Sequence, residues 1–204
     1  MATERRSTQP TSATEVERVR RMPRAERREQ ILDAATRAFA RTGYAATSLD
    51  DVASEAGVTH VILYRHFASK SDLYRAVLDR ACTRLGEAVG TENYDESSLP
   101  TLLRAAAADP DGFRLLFRHA AREPEFRDIT DTIRWDSTDI AYRHIAEAIP
   151  DGAWQNWAAQ VIPAFTLEAV IAWLDTGQPD PDGAAERISR AIAGVIRAAQ
   201  ADAP

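Results

Sequence analysis

From Arg24 to Thr42 the apolar positions Ile31, Leu32, Ala35, Ala38 and Phe39 recur at spacings of three and four, which places them on one face of a helix, and Gly43 ends the stripe. A shorter stripe comes next in Leu49, Val52, Ala53 and Ala56. Gly57 then supplies the residue that enters the left-handed region without a Cβ penalty, and Thr59 can N-cap a further helix. In that helix Leu63 and Phe67 form an i, i+4 pair that closes with Val58 onto the preceding stripe. His60, Val61, Ile62, Tyr64 and His66 are left without an internal role. Two short helices joined by a four-residue turn read as a helix-turn-helix pair, whose second helix can lie in a DNA major groove. The longer stripe before them predicts a first helix packed across the pair, making a three-helix head.

Ser69 and Asp72 stand in capping-box-like spacing, and Leu73, Val77, Leu78 and Leu85 continue a helix towards Gly86 or Gly90. This is a connector, with its start beside the head and its far end in the C-terminal body. Residues 91–98, TENYDESS, carry no apolar period and read as a loop. Pro100 sits well in a first turn before Leu102, Leu103 and the alanines to Ala108, and Asp109 to Gly112 breaks the pattern. Phe113, Leu116, Phe117 and Ala120 predict a short helix that Glu123-Pro124 interrupts. A long segment then extends from about Glu125 to Ile149. Trp154, Trp157, Val161, Phe165, Ala169 and Trp173 run along one face from Ala153 to Thr176, with Pro163 inside the run. An interior proline predicts a kink there or a break into two helices. Gly177 to Gly183 reads as a linker, Asp182 as a cap, and Ile188, Ile192, Val195, Ile196 and Ala199 as the stripe of a last helix. No strand alternation occurs, so the fold class is all-α.

Composition changes this picture in three places. The net charge of −6 argues against DNA binding until it is divided: residues 1–80 hold 14 basic and 11 acidic side chains, the remainder 11 and 20. A basic head on an acidic body suits a protein that meets phosphates at one end. Residues 1–22 are nearly devoid of apolar side chains and read as a disordered N-terminal arm, or, through Arg18, Arg20, Arg21 and Arg24, as an arm that tracks a minor groove. Cys82 is the only cysteine, which excludes an intramolecular disulfide and a cysteine zinc cluster. Gly-rich phosphate loops, H-E-x-x-H and G-x-S-x-G are absent, the four histidines are scattered, and no cofactor or metal is expected. With no run of eighteen apolar residues and no signal-peptide h-region, the expectation is a cytoplasmic protein without membrane contact.

Thr47-Ser48, Asp51-Val52-Ala53, Ala56-Gly57-Val58-Thr59, Leu63-Tyr64-Arg65-His66-Phe67 and Ser69-Lys70 resemble the N-terminal signature of the tetracycline-repressor (TetR) family. The likeness covers about one quarter to one third of the chain, from near Arg24 to near Leu78. It implies an all-helical transcriptional regulator with a variable ligand-binding and dimerising body. It also implies that Thr47 or Ser48, Tyr64, His66 and Lys70 bind phosphates, and that His60, Val61 and Ile62, preceded by Thr59, occupy the base-facing positions. Val61 and Ile62 depart from the family's commoner small, polar or turn-forming residues. Ile62 is either a groove residue, with Val61 packing on thymine methyls, or part of the core.

The resemblance divides the chain into the arm 1–22, a DNA-binding domain 23–69 and a helical ligand-binding and dimerisation domain 70–204. In that body the aromatic residues are numerous. Most are core, but the family reading adds a pocket, for which the candidates are Phe113, Phe117, Arg118, His119, Trp135, Asp139, Tyr142, Trp157 and Phe165. The stripes around 153–176 and 184–200 are wider than one chain covers, so Trp173, Ile188, Ile192, Val195, Ile196 and Ala199 are the expected homodimer interface. The expected partners are palindromic double-stranded operator DNA, a second copy and a small-molecule effector that releases a repressor. The alternative is a DNA binder without a small ligand, controlled by a protein or acting as an activator.

Overall fold

The computed structural model describes residues 22–90 and 97–200, without the side chain of Arg134. The expected arm, up to Arg21, and all but the end of the expected loop 91–98 lie outside the described residues. Everything regular among the described residues is helical: α1 (Arg24–Ala46), α2 (Leu49–Glu55), α3 (His60–Tyr64), α4 (Lys70–Val89), α5 (Ser98–Ala108), α6 (Pro110–Arg114), α7 (Arg127–Ile145), α8 (Ala153–Asp175) and α9 (Pro181–Gln200). A π-helical turn, Leu115–His119, and two 3-10 turns join α6 to α7.

The head forms for the local reasons the sequence offers. Ser48 and Asp51 make a reciprocal capping box that starts α2, and Gly57 takes φ 62 in the turn. Thr59 and Ser69 accept the first-turn N–H groups of Ile62 and Asp72. Gly43 adopts φ 81, so the expected stop is a kink, after which α1 runs three residues further. Val52, Ala53, Ala56, Leu63 and Phe67 are buried against Ile31, Leu32 and Phe39 of α1. That core does not close within the head. It continues through Leu73, Tyr74 and Leu78 of α4 into Leu115, Leu116 and Phe126, because three short helices cannot enclose their own apolar faces. Arg80 bolts α4 to α1, donating to Asp33 (2.8 Å), Glu29 (3.2 Å) and the Thr36 hydroxyl (2.8 Å).

In the body, Leu103, Phe113, Val170, Ile171 and Leu174 form a second core across α5, α6 and α8, while Ile145, Ile149, Ala158 and Ala199 form a third. Three expectations change. The break expected over Asp109 to Gly112 narrows to Asp109, which caps α6 by accepting from Gly112 N (3.0 Å), and a Cβ at Gly112 would come within 2.5 Å of that carboxylate. α8 does not divide at Pro163 but runs unbroken over 23 residues. The cap of α9 is Asp180, accepting from Gly183 N (3.2 Å), with Asp182 inside the first turn. α8 is long and apolar enough by composition to cross a membrane, yet only a third of its most apolar window is buried within the chain.

Candidate nucleic-acid interface and effector cavity

The exposed face of α3 gathers residues that the apolar pattern left over. His60 is exposed, Val61 is 62 % exposed and Tyr64 49 %, while Leu63 of the same helix is fully buried. Ile62 is half-buried without joining the head core, and Thr59 is exposed with its hydroxyl at the cap. The ring of His60 stands edge-on to Tyr64 at 4.8 Å, with Nε2 3.4 Å from Asp50 of α2. His66 lies half-buried near Arg24, expected in the arm, and near Arg27 and Arg28, which the sequence reading did not single out. Burial first, then Arg24, Arg28 and Arg27 of α1, holds its imidazole below the usual histidine range. Arg28 also stacks on Phe67 at 5.0 Å, so α1 turns one basic end towards the side of α3.

Three of the expected phosphate binders are placed differently. Thr47 is buried, its hydroxyl donating to the Gly43 carbonyl at 2.7 Å, so of the Thr47–Ser48 pair only Ser48 reaches solvent. Ser48 in turn uses its hydroxyl on Asp51, donating at 2.6 Å and accepting the Asp51 N–H at 3.1 Å. Lys70 is half-buried and donates to the carbonyls of Thr47 (2.9 Å) and Ala45 (3.3 Å), with its ammonium 4.5 Å above the Tyr44 ring. It fastens the end of α1 to the start of α4. The lone Lys in the sequence carried no signal of these carbonyl partners, which only the fold brings near.

The body holds a half-open cavity of about 870 Å³ bounded by α4, α5, α7, α8 and α9. Its wall is chiefly aliphatic, including Leu85, Leu102, Ile140, Ile162 and Leu167, with Asp136, Ser137, Asp139, Arg143 and His144 from α7 as a polar side. Of the nine expected lining residues, Phe117 and Asp139 border it, and Phe113 borders a smaller adjoining cavity of about 280 Å³. The others do not. Arg118 donates to Asp175 (2.7 Å), beside Arg114 (2.9 Å) on the same carboxylate. His119 packs under the kink at Gly43. Trp135 is 75 % exposed, and Tyr142 donates to Asp151 (3.3 Å). Trp157 and Phe165 lie on the outer face of α8, with Trp154 edge-on to Trp157 at 5.6 Å. Sequence could not separate the two faces of α8, since both are apolar. Cys82 borders the cavity as a packed thiol, pushed up to about 11 by burial.

Of the expected interface residues, Ile192 and Ile196 line the cavity, Ile188 packs on the second core, and Trp173 and Ala199 are buried within the chain. Trp173 donates its indole N–H to the Pro179 carbonyl at 2.9 Å. Val195 is half-buried, between the exposed Ala191 and Ala198 on α9.

Residues 31–77 match the family described as bacterial regulatory proteins, tetR family. The chain is similar to the HTH-type transcriptional activator FasR of Mycolicibacterium smegmatis, 32 % identical over 180 residues and covering 81 % of each chain. A stretch of 75 residues is 44 % identical to an HTH-type transcriptional repressor of Mycobacterium tuberculosis, covering 36 % of this chain and 40 % of that one. Among solved structures, a TetR-like transcriptional regulator from Rhodococcus sp. RHA1 superposes with a TM-score of 0.72 at 22 % identity, covering 85 % of this chain and 100 % of that one. NalD of Pseudomonas aeruginosa, described as the secondary repressor of the MexAB-OprM multidrug efflux pump, superposes with a TM-score of 0.64 at 20 % identity, covering 85 % and 98 %. At such identities the superpositions speak for the fold.

Proposed function

The chain belongs to the tetR family of bacterial regulatory proteins, the DNA-binding transcriptional regulators, and from that premise we propose that it is a cytoplasmic homodimer that grips a palindromic operator and is released from it by a small molecule. The reading divides the labour between residues 23–69, which meet DNA, and residues 70–204, which hold the effector and the partner copy. The observation that carries it is the cavity of about 870 Å³ at the last turns of α4, the end away from the reading head. Its size and mostly aliphatic wall fit a largely apolar molecule with a few polar groups. On the DNA side, His60, Val61, Ile62 and Tyr64 read or abut the groove, and Thr59, Ser48, His66, Lys70 and the Arg24–Arg28 group lie along the phosphates.

Two heads of a dimer must reach half-sites one DNA turn apart, roughly 34 to 36 Å. A molecule that alters the tilt of α4 therefore shifts affinity by altering the span, with a coupling commonly of about 1 to 3 kcal/mol. The test has two stages. Sites selected from random duplex DNA give the operator, and compounds found by mass spectrometry in purified protein are then titrated against the complex. A loss of DNA affinity with a co-purified compound supports the reading; unchanged affinity with every bound compound overturns the effector half of it. The sign of regulation has a second candidate, activation, favoured by the name of the activator FasR over 81 % of the chain. Transcription in vitro from a promoter carrying the selected site separates the two.

A further inference from the structure

His60 opens α3 and Asp50 is the second residue of α2, so the helix-turn-helix turn folds an acid onto the first base-facing side chain. The carboxylate oxygen Oδ1 lies 3.4 Å from Nε2, and the Tyr64 ring flanks the imidazole at 4.8 Å and 74°. Asp50 has no other partner among the described residues, and neither does Nδ1 of His60. Its side chain is 82 % exposed, so the fold does not need it for the core. A carboxylate beside one ring nitrogen favours the proton there, and the other nitrogen of a neutral imidazole is then an acceptor. In the major groove the donors are the exocyclic amino groups, N6 of adenine and N4 of cytosine, whereas guanine and thymine offer only acceptors at the matching edge.

We propose that Asp50 is a positioning residue for base reading: by holding the Nε2–H of His60 it leaves Nδ1 as a hydrogen-bond acceptor and so sets a preference for adenine or cytosine at one position of each half-site. The inference rests on α3 being the helix that enters the groove. It adds a residue of α2 to the specificity of α3 and names the chemical class of base that is read.

The test uses the full chain at pH 8, where an imidazole is ordinarily neutral. Sites are selected from random duplexes with the wild type, Asp50→Ala and His60→Ala, after thermal melts establish that each variant is folded. The wild type is expected to enrich one base pair, in one orientation, at a position where His60→Ala enriches none, and Asp50→Ala is expected to lose that same preference while keeping the rest of the site. Replacing the enriched base by its analogue without the exocyclic amino group, purine for adenine or 2-pyrimidinone for cytosine, should weaken wild-type binding about 5-fold, the effect of one hydrogen bond, and leave His60→Ala unaffected. Wild-type binding that is unchanged by both amino-free analogues at the His60-dependent base pair overturns the proposal, as does an Asp50→Ala selection identical to that of the wild type. A wild type that enriches no sequence at all overturns the groove reading and the proposal with it.

Discussion

The cations and imidazoles near the head each serve a structural contact first. Lys70 spends its ammonium on the Thr47 and Ala45 carbonyls and the Tyr44 ring. Lys70→Ala should therefore cost about 1 to 3 kcal/mol of stability, the range for hydrogen bonds from a charged group, read as a fall in the urea midpoint. The same variant should bind all DNA sequences more weakly and reduce the salt slope by about 1. An unchanged midpoint would mean that the carbonyl contacts contribute nothing. His119 is held below the usual histidine range by burial, then by Arg122 and Arg118, with Glu123 opposing. A base whose folded pKa is depressed leaves the unfolded state holding more protons, so its favourable contribution is complete above the unfolded value near 6.5 and is lost as pH falls towards the folded value. His66 shifts in the same direction. Melting temperatures should accordingly drop between pH 7 and 5, and His119→Gln should shrink that drop while leaving His66 to account for the remainder.

Among the elements, α4 was the expected link between head and body, but α7 reaches the head as well. Phe126, just before α7, is fully buried against Tyr44 (5.1 Å) and Tyr74 (4.7 Å), inside the core that begins in α1. Arg75 of α4 donates to Asp128 (2.8 Å) and to the Glu125 carbonyl (3.2 Å), and Ser71 bonds Glu125. Further along the same helix, Asp136, Ser137 and Ile140 border the cavity. On the proposed effector reading, a molecule that presses on α7 would therefore pull on the first turns of α4. Phe126→Ala should cost about 3 to 5 kcal/mol, the range for emptying an aromatic core position. Arg75→Ala is the milder probe, since the pair with Asp128 is exposed and contributes little to stability. It should keep DNA affinity close to that of the wild type and reduce the change in affinity caused by a co-purified compound; an undiminished response would take α7 out of the path.

For the molecule as a whole, the question is what covers α8. Its inner face packs on the cores and the cavity, while Trp154 and Trp157 are exposed and Val161 and Phe165 half-buried on the opposite face, and α9 likewise carries the exposed Ala191 and Ala198 and the half-buried Val195. Apolar area of this kind is what a second copy would bury. Phe165→Asp should place an unpaired carboxylate in that interface at a cost of several kcal/mol and give a monomer in sedimentation at micromolar concentration. Ile192→Asp acts elsewhere, since Ile192 lines the cavity, and should disturb effector binding. A wild type that sediments as a monomer would remove the dimer from the proposal.

Local chemistry alone determined the helices of the head, though not the core that they share with α4 and Phe126. Caps at Thr59 and Ser69, the left-handed Gly57 and the stripes of α1 and α2 act within a few residues, so periodicity and capping rules reached them, whereas Ser48, expected at a phosphate, turned out to cap α2. The all-α class and the helix order came from the same signals. What the fold decided is which side of an apolar helix turns inwards. On α8 both sides are apolar, and only the packing of α7 and α9 sends Ile162, Thr166 and Leu167 to the cavity and Trp157 and Phe165 outwards. Contacts between distant residues were likewise hidden: Lys70 with Thr47, Arg75 with Asp128 and Phe126 with Tyr44 depend on helix placement, which no spacing along the chain encodes.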